Sequence, residues 1–368
     1  MASNQSTRST AFPGLGRIDV HHHCFPATVS EVAPEFATEG SNLFGVGFTG
    51  KFPEDAQAHL KYMDEVGIQT AVVVGQIDFW CPTLRLLVGT QTPSIKNEWH
   101  QDFSKERLVD LCERSLRAQL DYVASNPLRF GCFALLPLPH IPETIDFIRK
   151  ASQQSTQPDG WGISTQIGHH YLGNPRFDPV WEELNKTSSV VFVHPADSDR
   201  PPTLSFGPFV QEFAFDTCRA ITDVIHAGIF VRYPKIRFIF SHNGGAFPFL
   251  ADRIGAQHID EVIAKNNGGL RLRDLVSQSN LYLDSAISSA MQYPVLKELG
   301  IPTEHLLYAT DFPYTVRLDT TSSYKAGYDS PKNSGLFDEQ ALEDIVRNNA
   351  LKLFPRLAAE YEKLPLRS

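Results

Sequence analysis

The chain contains no run of the ~18 apolar residues that a membrane span requires. Its N-terminus, MASNQSTRSTAFPG, lacks the apolar core of a secretion signal, and residues 1–15 are expected to form a disordered tail. Cysteine is scarce. The five residues Cys24, Cys81, Cys112, Cys132 and Cys218 are odd in number, scattered, and contain no CxxC pair. That excludes a disulfide framework and points to a reducing compartment, with the cytosol as the expected location. Positive charge is in deficit: 33 Lys and Arg stand against 42 Asp and Glu, for a net charge of −9. No basic tract could follow a phosphate backbone, which excludes nucleic acid as a partner. There is no internal repeat and no low-complexity tract.

What is present suits a large α/β fold. The 368 residues are 42% hydrophobic and 20% charged, ordinary values for a chain that buries a sizeable core. Eight short apolar runs recur: Gly16–His23, Thr70–Gly75, Arg129–Pro137, Gly160–Gln166, Val190–His194, Ile236–His242, Leu281–Ser285 and Leu306–Asp311. Most are continuous rather than alternating, as in parallel strands covered on both faces. Helical patterns lie between them, at Pro53–Gly67, Ser104–Pro127, Ile141–Ser152, Phe177–Thr187, Phe215–Pro234 and Phe337–Phe354. Eight strands alternating with helices predict a (β/α)8 barrel as one domain over residues 16–368. A doubly wound open sheet is the alternative, but no GxGxxG-type loop follows the first strand. Two irregular segments, Gly40–Phe52 and Ile77–His100, are expected as extra loops over the C-terminal face of the barrel.

In such a barrel the chemistry gathers where the strands end. Strand 1 ends in His21, His22 and His23, strand 5 in His194, strand 6 in His242 and strand 8 in Asp311. Alternation along a strand turns His21 and His23 one way and His22 the other, toward the helices. It also gives Asp19 the side of His21 and His23. His21, His23, His194 and Asp311 then form a three-nitrogen, one-oxygen donor set that suits Zn²⁺, or the harder Mn²⁺. His242 stands beside it as an acid/base. A lone HxH arises by chance, and a lone buried histidine is as often a core residue. Four such groups at four strand ends carry the metal reading. His59, His100, His140, His226, His258 and His305 fall in helices or loops and receive no role, and a loop role is expected for His169 and His170.

The segments IDVHHH, FVHP, FSHNGGAFPFLADRI and LLYATDFP resemble the amidohydrolase superfamily, in particular its aminocarboxymuconate-semialdehyde decarboxylase-like branch. The resemblance runs from about Gly16 to Phe354, with all four motifs in the family's order. Within the branch the chain is most similar to the fungal 6-methylsalicylate decarboxylases. The resemblance implies His21, His23, His194 and Asp311 as metal ligands, His242 as the catalytic histidine, and a homodimer. It also implies that Arg253 reaches the carboxylate of a substrate bound in the neighbouring subunit. A second substrate arginine has no motif to place it, though Lys51 and Arg85 lie in suitable loops. The carboxylated lysine of binuclear relatives has no counterpart, because strand 4 ends ISTQIG, and a mononuclear site follows.

The implied reaction is non-oxidative decarboxylation of an ortho-hydroxybenzoic acid, 6-methylsalicylate to m-cresol and carbon dioxide, in polyketide secondary metabolism. The proton donor is either Asp311 or His242 acting with water; Asp311 is favoured, with His242 orienting or polarising, and that role requires a raised Asp311 pKa. Phe25, Phe48, Trp80, Phe215 and Phe312 are expected to wall the pocket, since each lies near the predicted top face. The alternative chemistry is a mononuclear hydrolase of a lactone or cyclic ester.

Overall fold

Continuous apolar strands must be covered on both faces, and a ring of parallel strands inside a ring of helices does so. The computed structural model describes residues 16–24, 55–75, 105–167, 170–195, 210–314 and 329–364. Eight parallel strands pair in the order β1 (Arg17–Cys24), β2 (Ile68–Gly75), β3 (Phe130–Leu135), β4 (Gly160–Ser164), β7 (Val190–His194), β8 (Arg237–Phe240), β9 (Leu281–Asp284) and β10 (Leu306–Leu307). The short strands β5 (Gln166–Ile167) and β6 (His170–Tyr171) form a separate antiparallel pair after β4. Hydrogen bonds from Val20 N to Tyr308 O (3.1 Å), Asp311 N to His21 O (2.9 Å) and His23 N to Phe312 O (2.8 Å) join the last segment to the first strand. This is the expected (β/α)8 barrel.

Helices fill the connections. α1 (Ala56–Val66) starts where Asp55 accepts from Ala58 N at 2.9 Å and stops at Gly67, whose φ of 76° suits glycine. α2 (Lys105–Ser125), α3 (Ile141–Ala151) and α4 (Asp178–Lys186) match the expected segments. The helix expected over Phe215–Pro234 starts earlier and is divided. α5 (Glu212–His226) and α6 (Ile229–Arg232) meet at Gly228, which has φ 70° and whose added Cβ would lie 2.4 Å from Asn266 O. Four further helices, α7 (Phe247–Ile254), α8 (Gln257–Asn266), α9 (Leu272–Gln278) and α10 (Gln292–Leu299), were not expected from sequence. Their apolar stripes are short, and only α9 has a first-turn carboxylate reaching back to its start, where Asp274 accepts from Arg271 N at 3.0 Å. After the short α11 (Ser330–Asn333), the expected Phe337–Phe354 helix is α12 (Glu339–Glu343), a π turn (Asp344–Asn348) and α13 (Asn349–Leu353). The π turn leaves Ile345 O to accept from Tyr308 N at 3.0 Å, which fastens the segment after β10 from outside.

The last expected strand is the least regular. Only Leu306 and Leu307 pair with β9, and Asp311 has φ 61°. Within the barrel, Phe133 stacks on Phe192 at 5.2 Å, and Phe192 meets the His21 ring edge-on at 4.9 Å. The polar cluster therefore stands on an aromatic floor. No helix among the described residues is long and apolar enough to cross a membrane.

Candidate metal centre

The donors come from opposite sides of the barrel. His21 and His23 lie on β1, His194 ends β7, and Asp311 follows β10. One side-chain donor from each of the four lies within 4.8 Å of the others, and all four residues are buried. His21 Nε2, His23 Nε2 and Asp311 Oδ1 are each 3.0 Å from the other two. Tetrahedral zinc with bonds of 2.0–2.1 Å separates its donors by about 3.3 Å, so a spacing of this size fits a bound cation. Two imidazole lone pairs and a carboxylate facing one point repel unless a proton or cation lies between them.

Their neighbours fix which nitrogens face inward. Asp284 Oδ2 lies 3.0 Å from His21 Nδ1, and Pro195 O lies 2.7 Å from His194 Nδ1. Carbonyl and carboxylate oxygens only accept, so both Nδ1 atoms carry hydrogen and both Nε2 atoms are left as donors to a metal. Burial alone would lower the His21 pKa, but Asp311 and Asp284 outweigh it and push it up to about 10. Burial dominates at His23, which falls to about 4, and holds His194 well below the usual histidine range. For Asp311, burial pushes upward, but His21, His23 and His242 together hold the carboxyl well below its usual range.

His242 lies two residues beyond β8, in a short turn rather than at the strand end. Its backbone takes φ 58° and the next residue, Asn243, takes φ 51°. That conformation brings its Nε2 to 3.4 Å from Asp311 Oδ2. Asp284, to which sequence reading gave no role, accepts from His242 N at 3.0 Å as well as from His21. A carboxylate closing the buried run LYLD was the available signal.

His22 turns away from the cluster. Its ring stacks on Phe312 at 4.5 Å, and its Nε2 lies 2.9 Å from Nδ1 of the buried His59 on α1. Phe312, expected as a pocket wall, is thus placed on the His22 side of β1. It packs between His22 and Tyr62, whose ring lies at 4.1 Å. Phe215 is 37% exposed, whereas Phe213 on the same helix meets the His194 ring at 6.1 Å. Tyr314 approaches His23 edge-on at 5.1 Å. Asp19 also departs from expectation. An extra residue on β1 between Asp19 and His22 breaks the alternation, so the two share a side. Arg253 is exposed on α7 and borders a groove of about 870 Å³ with Cys218, His226, His258 and Val262. Phe25, Phe48, Trp80, Lys51, Arg85, His100 and His169 lie outside the described residues, as do the two expected loops. Among the described residues, no lysine ends a barrel strand.

The profile of the family described as amidohydrolase matches residues 18–356. The chain belongs to the amidohydrolase family. Among relatives, it is 30% identical over 358 residues to "Decarboxylase yanB" of Aspergillus niger, covering 93% of this chain and 88% of that one. It is 27% identical to the "6-methylsalicylic acid decarboxylase" of Penicillium expansum, over 96% of this chain and all of that one. A dihydroxybenzoic acid decarboxylase from Polaromonas sp. JS666, solved with manganese and 2-nitroresorcinol, shares the fold. Its TM-score is 0.67 at 19% identity, covering 95% of this chain and 100% of that one. These relatives place this amidohydrolase with the family's carboxy-lyases.

Proposed function

We propose that the chain is a metal-dependent decarboxylase of an ortho-hydroxybenzoic acid, with 6-methylsalicylate as substrate and m-cresol and carbon dioxide as products. The convergence of His21, His23, His194 and Asp311, with His242 beside Asp311, carries this reading. The decarboxylase names of the curated relatives support it, and nothing among them favours the lactone hydrolase. The four converging residues would hold Zn²⁺, with Mn²⁺ as the alternative that the Polaromonas relative contains. When bound, such an ion supplies positive charge that orients and stabilises substrate oxygen anions.

The chain's own residues handle the proton. Overall, one proton enters at the ring carbon bearing the carboxylate, the carbon–carbon bond breaks, and carbon dioxide leaves as aromaticity returns. In the free site Asp311 is ionised, which differs from the raised pKa that direct donation needs. Before Asp311 can deliver a proton it must receive one, and His242 Nε2 at 3.4 Å is in place to pass it. Phe213 and Tyr314 flank the cluster and would hold the ring and exclude water. We further propose a cytosolic homodimer. The exposed Phe249 and Met291 lie on α7 and just before α10, two helices that pack together, and Arg253 lies on the same α7.

Incubation of metal-supplemented protein with 6-methylsalicylate tests the reaction. Release of m-cresol and carbon dioxide in equal amounts is expected. Turnover of lactones without any decarboxylation of hydroxybenzoates would overturn it.

A further inference from the structure

The bulge in β1 gives Asp19 a position that strand alternation would deny it. Asp19 pairs with Ala71 and His22 with Val73, so two steps along β2 oppose three steps along β1. Ala71 and Val73 share one side of β2, and Asp19 and His22 therefore share one side of β1. The bulge also frees the His21 amide from the ladder. Asp19 takes it: Oδ1 accepts from His21 N at 3.1 Å and from Thr310 N at 3.0 Å. Its Oδ2 accepts from Thr310 Oγ1 at 2.5 Å and lies 2.9 Å from His22 Nδ1.

One fully buried carboxylate thus accepts four hydrogen bonds, two from β1 and two from Thr310. Thr310 immediately precedes Asp311, and its Oγ1 also accepts from Phe312 N at 3.2 Å, so it brackets Asp311 from both sides. Asp311 is held in the left-handed region at φ 61°, a conformation that needs support from its surroundings. The 3.0 Å separations between Asp311 Oδ1 and the two Nε2 atoms of β1 depend on how β1 and residues 310–312 are joined.

We infer that Asp19 is a positioning residue that sets the bite of the metal centre, clasping the strand bearing His21 and His23 to the turn bearing Asp311. The inference rests on the reading of the four-residue cluster as a metal centre. Asp19 is not one of the four converging donors. It acts by fixing donor geometry before a metal arrives, as outer hydrogen-bond partners of ligands do. His22 completes the clasp by handing its other nitrogen to His59 on α1.

The test is the affinity of the full-length, metal-stripped protein for Zn²⁺ and Mn²⁺, measured by competition with a chromophoric chelator. Thermal melting of the metal-free protein is recorded beside it. Asp19→Asn is expected to weaken metal affinity by about 10- to 100-fold. Thr310→Val is expected to weaken it in the same direction, and Thr310→Ser, which keeps the hydroxyl, to restore it. A residue that only stabilised the fold would lower the melting temperature and leave the affinity of the folded protein unchanged. Wild-type affinity in Asp19→Asn would overturn the inference while leaving the metal centre standing. If Asp19→Asn does not fold, the Thr310 pair decides, and equal affinity in Val and Ser overturns it. Wild-type protein that binds neither ion overturns the metal reading itself, and the clasp with it.

Discussion

The same imidazole group behaves in three ways within one strand. Asp311 and Asp284 make His21 basic, burial makes His23 acidic, and His22 is committed to Asp19 and His59. In the metal-free protein His21 is raised from an ordinary 6.5 to about 10. Its contribution to stability is whole below pH ~6.5 and is lost as pH rises through about 10. His23 is lowered to about 4, so its contribution is present above pH ~6.5 and is lost as pH falls toward 4. Melts of chelator-treated protein should therefore decline on both sides of neutrality. A melting temperature that rises between pH 7 and 10 would contradict the His21 assignment. His21→Ala or His23→Ala should drop bound metal from about one equivalent to below ~0.2 by elemental analysis. His22→Ala removes a stacked, buried ring and should cost about 3 kcal/mol of stability while keeping most of the metal. Metal loss equal to that of His21→Ala would refute this division of roles.

Strands carry His21, His23 and His194, but short turns beyond the strand ends aim His242 and Asp311. The turn His242–Gly245 shows how. Gly245 has φ 60°, and a Cβ there would lie 2.2 Å from Ala214 O. Ala246 N donates to the same carbonyl at 3.0 Å, so the turn is sewn to the start of α5, where Phe213 faces His194. Gly245→Ala can relax only by moving α5 or the His242 turn. It should cost about 3 kcal/mol or more and sharply reduce turnover, measurable by denaturant unfolding and steady-state assay. Wild-type stability would show that the close approach is absent. The irregular segment after β10 follows the same rule. Its residues 308–312 give up the ladder for bonds to β1, the π turn and Asp19, which leaves Asp311 free to turn inward.

At the scale of the whole molecule, two exposed apolar side chains stand out on neighbouring elements. Phe249 is 59% exposed and Met291 77%. Exposed apolar groups on adjacent helices are what a self-association surface presents. The double variant Phe249→Glu with Met291→Glu should halve the mass measured by light scattering and leave metal content unchanged. A wild-type protein already monomeric at assay concentration would refute the homodimer.

The barrel and most donors were legible in the chain alone. Continuous apolar runs ending in histidine or aspartate report both a strand buried on two faces and a polar group that burial at its end would penalise without a partner. Periodicity separated His22 from His21 and His23. Periodicity failed where hydrogen bonding overrode it. A single inserted residue in β1 reversed the side of Asp19, and helical phase on α5 put Phe213 rather than Phe215 beside His194. Asp284 and His59 became partners of His21 and His22 only through strand and helix packing across 263 and 37 residues of chain. Local sequence sets which faces a strand or helix can offer. Which faces meet, and therefore which nitrogen carries a proton and which waits for a metal, is decided by contacts between residues far apart in the chain.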